Sequence, residues 1–333
     1  MESDIYNAEK IAVVRTDRLG DMVLTLPMCM ALKKELPSAK VVLIARSYAK
    51  SILKNCPAID DVLFIDEFPN GIKSIFSENK FSAVFYPRPR FKECWAGFRV
   101  GISLRVGTSY RYYSFLFNHR IKDHRKNAEF HEAEYNTRMV SSVLGKQVET
   151  ELVRPYVSPE SVEELELIAK KAGLDLSKKY IIIHPGSGGS SRNWKAESFG
   201  VLANLIMDKY GFQTVITGSE EEQIYCDISE KLCPNSVNLC GKLSLEQLIS
   251  LISRASILTA NSTGVLHIAA ALDIPVLGLY PNTPHLSAKR WGPYCKKSLT
   301  ISPPDKLNPK FRDNMQAIEV STVFEAAQKL LGT

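Results

Sequence analysis

The chain has 333 residues, 45% of them hydrophobic and 23% charged, with a formal net charge of +6 at pH 7; that is enough for one large or two ordinary globular domains and excludes a disordered or fibrous chain. No apolar run approaches the ~20 residues of a spanning helix, and the polar start MESDIYNAEK lacks the basic-then-apolar order of a secretory signal, so a cytoplasmic protein is expected. The seven cysteines (Cys29, Cys56, Cys94, Cys226, Cys233, Cys240 and Cys295) are odd in number, scattered and never spaced as CxxC, which argues for reduced, mostly packed thiols and against a disulfide framework or a zinc site.

The first predicted strand is IAVVR at 11–15, and RLGDMVLTLP at 18–27 leads from it into a segment with apolar residues at helical spacing. Asp21 sits at the handover. In the first helical turn it reads as an N-cap meeting orphan amides and the helix dipole; as a lone carboxylate in a tight turn at Gly20, it also reads as a group presented for chemistry. A dinucleotide fingerprint is excluded, because GxGxxG is missing and a negative side chain would repel a pyrophosphate there. Further β-branched runs follow at VVLIA (41–45), VLFI (62–65) and AVFY (83–86), with helix-like segments between them. From Arg88 to Lys126 ten Lys and Arg oppose only Glu93 and Asp123, among the aromatics Phe91, Trp95, Phe98 and YRYYSFLF at 110–117. Such a stretch is either a solvated face over core rings or a surface for an anionic partner, such as a membrane, where rings and cations share the interface.

Residues 145–159 carry two prolines and no clear period, so the linker is expected there, with the first domain over 1–150 and the second over 151–333. Strands resume at YIIIHPG (180–186), QTVITG (213–218), SVNL (236–239), SILTAN (256–261) and IPVLGLY (274–280). The alternation predicts an α/β protein of two doubly wound, Rossmann-like parallel sheets facing a central cleft, with ligands at the carboxyl ends of strands. The final helix is either part of the second domain or packed back on the first.

Three loops of the second half are rich in polar and small residues. In HPGSGGSSRNW (184–194) amides freed by Gly186, Gly188 and Gly189, the hydroxyls of Ser187, Ser190 and Ser191, and the cation Arg192 suit a diphosphate, although a flexible surface turn has the same composition. No Gly-Lys-Ser/Thr follows, so it is not a Walker A loop. In TGSEEEQ (217–223) three glutamates open a helix, as dipole-complementing charge or with one carboxylate for ribose hydroxyls. In ANSTGVLHIAAALDIP (260–275) Ser262, Thr263 and Gly264 open a helix closely enough for a phosphate, and His267 lies one turn inside, where a packed core histidine is the ordinary finding.

Taken in this order, RLGDMVLTLP, HPGSGGSSRNW, TGSEEE and STGVLHIAAALDIPVLGLYP resemble glycosyltransferase family nine, the heptosyltransferases of lipopolysaccharide core synthesis, and PAIDDVLFID and KRWGP extend the likeness over nearly the whole chain. The resemblance implies a GT-B fold, an acceptor-binding first domain, and a second domain for a nucleotide sugar, usually ADP-heptose. It implies inversion at the anomeric carbon, no required metal, no cofactor and no nucleic-acid partner. The acceptor it implies is an anionic saccharide lipid at the inner face of the cytoplasmic membrane, which the basic stretch with Arg88, Arg90 and Arg99 would meet. By position Asp21 matches the general base, Arg192 a basic residue two places before the tryptophan at Trp194, Glu222 the ribose-associated glutamate, and Thr263, Gly264 and His267 the motif near diphosphate and sugar; Ser187 falls in the donor loop. Two positions depart from the pattern: Ser262 stands where the family commonly has Asp, and Lys195 where it has Pro. A nucleotide-sugar-binding paralogue without transferase activity, or a member using another donor sugar, is the alternative; the missing fingerprint argues against a third reading, a dehydrogenase, which absence of nicotinamide binding would close.

Overall fold

The computed structural model describes residues 5–304, 308 and 310–332; the first four residues of the polar start lie outside them. The chain divides into two units, Met1–Arg154 and Pro155–Thr333.

The first unit is built on a six-stranded sheet: β1 (Lys10–Val14), β2 (Lys40–Ala45), β3 (Asp61–Phe64), β4 (Ala83–Phe85), β5 (Leu104–Thr108) and β6 (His119–Ile121), in the order β3-β2-β1-β4-β5-β6 and parallel throughout. Ile11, Ala12, Val13 and Val14 are all buried, as expected of a strand covered by helices on both faces. The second unit repeats the design with β7 (Tyr180–His184), β8 (Gln213–Ile216), β9 (Val237–Asn238), β10 (Ile257–Asn261), β11 (Val276–Leu279) and β12 (Ser298–Ile301), ordered β12-β11-β10-β7-β8-β9. Read from β9, this is the same order as in the first unit.

In each sheet the direction of chain progression reverses beside the first strand, between β1 and β4 and between β7 and β10. In doubly wound sheets the loops leaving the strands on either side of such a point diverge to opposite faces and open a crevice, the place where ligands bind. Both candidate sites described below lie at these two points.

Three strands differ from the sequence expectation, which had four in the first unit and five in the second. β5 is interrupted by Arg105 and Gly107, β6 has three residues, and β12 lies at a sheet edge with no fully buried position; none presents the β-branched run by which the others were read. The last helix, Val320–Leu331, places Val323, Ala326 and Ala327 in the second unit's core with Ile181, Phe199 and Leu277, so its apolar face is satisfied within its own unit. All seven cysteines are free thiols, five of them buried.

Candidate active site

At the first switch point the chain leaves β1 with Arg15, whose amide still donates to Ile44 O at 2.9 Å. The side chain is 1% exposed. A buried guanidinium needs carboxylates, and this one has three: Nε lies 2.7 Å from Asp17 Oδ1, Nη2 bonds Asp21 Oδ1, and Nη1 is 3.7 Å from Glu132 Oε1. Glu132 comes from the start of the helix Glu132–Leu144, held in place by a capping box of His131 and Glu134 and by Asn136 Nδ2 donating to Leu24 O at 2.8 Å. Arg125 bonds the same glutamate, and Arg88, in the loop after β4, donates to Asp17 Oδ2 at 2.6 Å. Three carboxylates and three guanidiniums thus converge on one crevice.

Asp21 is not an N-cap. The short helix Leu19–Val23 has Arg18 at its N-cap, and Asp21 is its third residue, 9% exposed, turned back to Arg15. Gly20 is helical and buried and is no sharp turn. The backbone is instead fixed by Met22 N donating to Arg18 O at 3.0 Å and Thr25 Oγ1 donating to Asp21 O at 2.8 Å.

The two aspartates are pushed apart electrostatically. Burial raises the Asp21 carboxyl, Asp17 and Glu132 push it further, and Arg15 does not fully offset them, so its pKa stands above the ordinary value. Burial also opposes the charge on Asp17, but there Arg15 and Arg88 win and the pKa falls. Arg15 is held charged: its burial is outweighed by Asp21, Asp17 and Glu132. Neighbouring carboxylates separated in this way divide into a fixed anion and a proton acceptor.

At the second switch point the loop after β7 carries Ser187, Arg192 and the glycines. Asn261, at the end of β10, clasps both ends of it: Nδ2 donates to Pro185 O at 2.7 Å and Oδ1 accepts from Trp194 N at 2.8 Å. Ser190 Oγ donates to Ser262 O at 2.7 Å, which lays the loop beside the start of the helix Gly264–Ala271. Thr263 at that helix's N-cap makes no side-chain cap bond, and the buried Ser191 Oγ has no protein partner. Gly188 and Gly189 have φ of 53° and 66°, a region glycine enters without strain. The following helix starts at Ala196, with Lys195 as N-cap.

Glu222 is engaged as a support of this loop. Its Oε1 accepts from Gly188 N at 2.8 Å and its Oε2 from Ser219 N at 2.9 Å, with His184 Nε2 at 3.6 Å. Burial alone would raise this carboxyl; the His184 ring and the Ser219 and Gly188 amides bring it below the ordinary value. Burial keeps His184 below its own ordinary value despite the glutamate. A Cβ on Gly186 would collide with the Glu222 carboxylate. Arg192 extends outward, 65% exposed, with Nε 3.9 Å from Asp313 Oδ2, a pairing too weak and wet to hold it. His267 is buried one turn into its helix, 4% exposed. Ser187 is buried, while Ser262, Thr263 and Gly264 are half-buried.

The structure thus brings Ser187, Arg192, Glu222, Ser262, Thr263, Gly264 and His267 to the loops and helix start around one crevice, and Asp21 with Arg88 to the other. Arg90 is the N-cap of the helix Phe91–Val100 and Arg99 lies in its last turn, 6.0 Å from the Trp95 ring centre. Sequence reasoning missed Arg15, Asp17, Glu132, Arg125 and Asn261. The alternating charges of RTDRLGD could have flagged the first two; Glu132 lies more than a hundred residues away and carries no local signal. Among the described residues no group of three His, Cys, Asp or Glu is placed to hold a metal ion.

The profile of Glycosyltransferase family 9 (heptosyltransferase) matches residues 77–318. A Haemophilus influenzae protein, named only as a candidate glycosyltransferase, is 30% identical over 315 residues, covering 89% of this chain and 90% of its own. Lipopolysaccharide heptosyltransferase 2 of Salmonella typhimurium is 24% identical over 297 residues, 83% of this chain and 84% of that one. Among solved structures, a family 9 glycosyl transferase from Veillonella parvula superposes with a TM-score of 0.85 at 19% identity, covering 97% of each chain. The fold is that of the GT-B class.

Proposed function

The chain belongs to glycosyltransferase family 9, and on that premise we propose that it is an inverting, metal-independent glycosyltransferase that moves heptose from ADP-heptose onto a lipopolysaccharide core or related cell-surface saccharide. The observation that carries the mechanism is the divided aspartate pair: Asp17 is held as an anion by Arg15 and Arg88, while Asp21 has a raised proton affinity. Asp21 takes the proton of the acceptor hydroxyl as that oxygen bonds the anomeric carbon and the bond from that carbon to the diphosphate oxygen breaks. Charge developing on the departing diphosphate is met by Arg192, the amides at Thr263 and Gly264 and the hydroxyls of Ser187 and Ser191. Glu222 shapes the loop through Gly188 and keeps lone pairs for the donor's ribose. His267, buried beneath the helix start, backs the sugar. No cofactor is needed beyond the donor itself.

The acceptor is an anionic saccharide lipid met by Arg88, Arg90 and Arg99, which makes the enzyme peripheral to the inner face of the cytoplasmic membrane; among the described residues no helix is long and apolar enough to cross a membrane.

Ser262, in place of the usual carboxylate, favours a second reading in which the family chemistry is kept with a different sugar. A panel of ADP-, GDP- and UDP-sugars separates the readings, since a ligand at ~100 times its dissociation constant adds roughly 2.7 kcal/mol of stability. ADP-heptose should raise the melting temperature and be consumed with acceptor. Stabilisation by another nucleotide sugar, with its transfer, moves the donor assignment; stabilisation without any transfer makes the chain a binding paralogue.

A further inference from the structure

The helix Phe91–Val100 is amphipathic the wrong way round for a surface helix. Its inner face is small: Cys94, Ala96 and Gly97 are buried, and Gly97 lies so close to the Tyr86 hydroxyl that a Cβ there would collide with it. Its outer face carries the large rings. Phe91, Trp95 and Phe98 recur at helical spacing and are 41%, 40% and 41% exposed. They form a stacked row: Phe91 to Trp95 at 6.1 Å, Trp95 to Phe98 at 5.7 Å, and on the other side Phe91 to Tyr112 at 6.1 Å. Tyr112 is 82% exposed, and Phe115 and Val100 add to the patch. Leaving rings of this size in water sacrifices burial that a folded domain ordinarily takes, so a contiguous exposed row marks a contact surface.

The charges around the row identify the contact. Arg90, Lys92, Arg99 and Arg111 are exposed around it, and Arg88, also exposed, is the one of the group whose charge is met by Asp17. The two acids of the same stretch do not oppose them: Glu93 is 5% exposed beneath Thr16, and Asp123 is taken by Arg138 at 2.6 and 2.9 Å. The row is also rigid, because Tyr113 donates to Pro89 O at 2.8 Å and packs edge-on to Phe91. Rings fixed at the rim of a one-signed basic field match the chemistry of an anionic bilayer, where aromatic bodies enter the headgroup boundary and cations meet phosphates.

We infer that the Phe91–Trp95–Phe98–Tyr112 row inserts into the boundary of an anionic lipid surface and docks the first unit on it. This names the physical partner of the acceptor side and rests on the reading that places an anionic lipid acceptor there.

Trp95 is a built-in reporter when read as the difference from Trp95→Phe, since Trp194 is 2% exposed and the half-buried Trp291, in the second unit with its Nε1 donating to His285 O at 2.9 Å, is common to both proteins. Full-length protein is mixed with phosphatidylglycerol/phosphatidylcholine vesicles or with phosphatidylcholine alone, and flotation and tryptophan emission are recorded with and without high salt. The wild type should float with the anionic vesicles only, with a blue-shifted emission that Trp95→Phe abolishes while binding persists. High salt should weaken binding without abolishing the emission shift of the bound fraction. Trp95→Ala/Phe98→Ala should bind about tenfold or more weakly, with melting temperature and nucleotide-sugar affinity unchanged. The inference falls if Trp95 emission stays put on anionic vesicles, if the double variant floats like wild type, or if sedimentation shows the row buried in a dimer that the double variant dissolves. These failures are separable from failure of the glycosyl-transfer reading: that reading falls when no sugar reaches a lipid-free saccharide acceptor, whatever the vesicles show.

Discussion

Replacing Asp21 by Asn separates chemistry from stability. If Asp21 were only a helix cap the change would be silent, because Asn caps as well as Asp. The structure makes it a buried partner of Arg15, and removing one member of a buried ion pair costs about 3–5 kcal/mol when the other is left uncompensated. Here Arg15 keeps Asp17 at 2.7 Å and Glu132 at 3.7 Å. Moreover, the raised pKa of Asp21 means that its ionised form is less favourable folded than unfolded, so a neutral side chain relieves part of what the lost contact takes away. The net stability change should stay within about 1 kcal/mol, a shift of roughly 2–4 °C for a unit of this size. Catalysis should respond differently: without a proton acceptor the rate falls by about 10²–10⁴. The assay is transfer of a mass-tagged sugar at saturating donor, with thermal melts and donor calorimetry on the same samples. The wild-type rate should fall as pH drops through the Asp21 pKa, at a pH above that of an ordinary carboxylate, and the residual rate of the Asn variant should lack this limb. Near wild-type turnover would end the base assignment, and a melting loss of more than about 10 °C would show that the pair is a structural strut. Arg15→Met is the counterpart: it leaves Asp17, Asp21 and Glu132 facing one another and should cost about 3–5 kcal/mol.

Arg88→Ala should lower turnover and move the acid limb, because Arg88 holds Asp17, whereas Arg90→Ala/Arg99→Ala should weaken acceptor use alone; steady-state kinetics at several pH values distinguishes them, and identical effects would refute the division. Gly186→Ala should lose donor affinity and about 1–3 kcal/mol of stability, because the added methyl displaces Glu222 from Gly188; calorimetry with the nucleotide sugar checks it, and an unchanged dissociation constant would refute the role given to that glutamate. Transfer should survive EDTA, because the proposal assigns the diphosphate charge to Arg192 and amides; loss in EDTA restored by magnesium would replace them with a metal.

The sequence made the parallel-sheet class legible because buried parallel strands leave continuous β-branched runs, as at IAVV and YIII. It concealed β5 and β6 because their pairing, and not their composition, makes them strands. The loop at 184–194 was visible as a candidate because glycines and serines after a buried strand suit a diphosphate, but a surface turn has the same composition, and only the fold shows both of its ends held by Asn261. Asp21 was visible by position, but its circumstances were not, since what sets its proton affinity is Arg15 and a glutamate from a distant helix. Glu222 shows the converse limit, being found by motif while its engagement with two backbone amides follows only from the folded loop.

The Asn261 clasp has a consequence for how such a protein diversifies. With Pro185 and Trp194 both fastened to one strand-end amide, and Trp194 Nε1 donating to Ile318 O at 2.9 Å, the ends of the intervening loop are fixed to the sheet while its glycine-rich middle carries the contacts offered to a ligand. On the proposed donor role, residues 187–192 form an exchangeable cassette: changes in their length and side chains would alter the sugar nucleotide accepted while the strands that hold the buckle shut stay as they are.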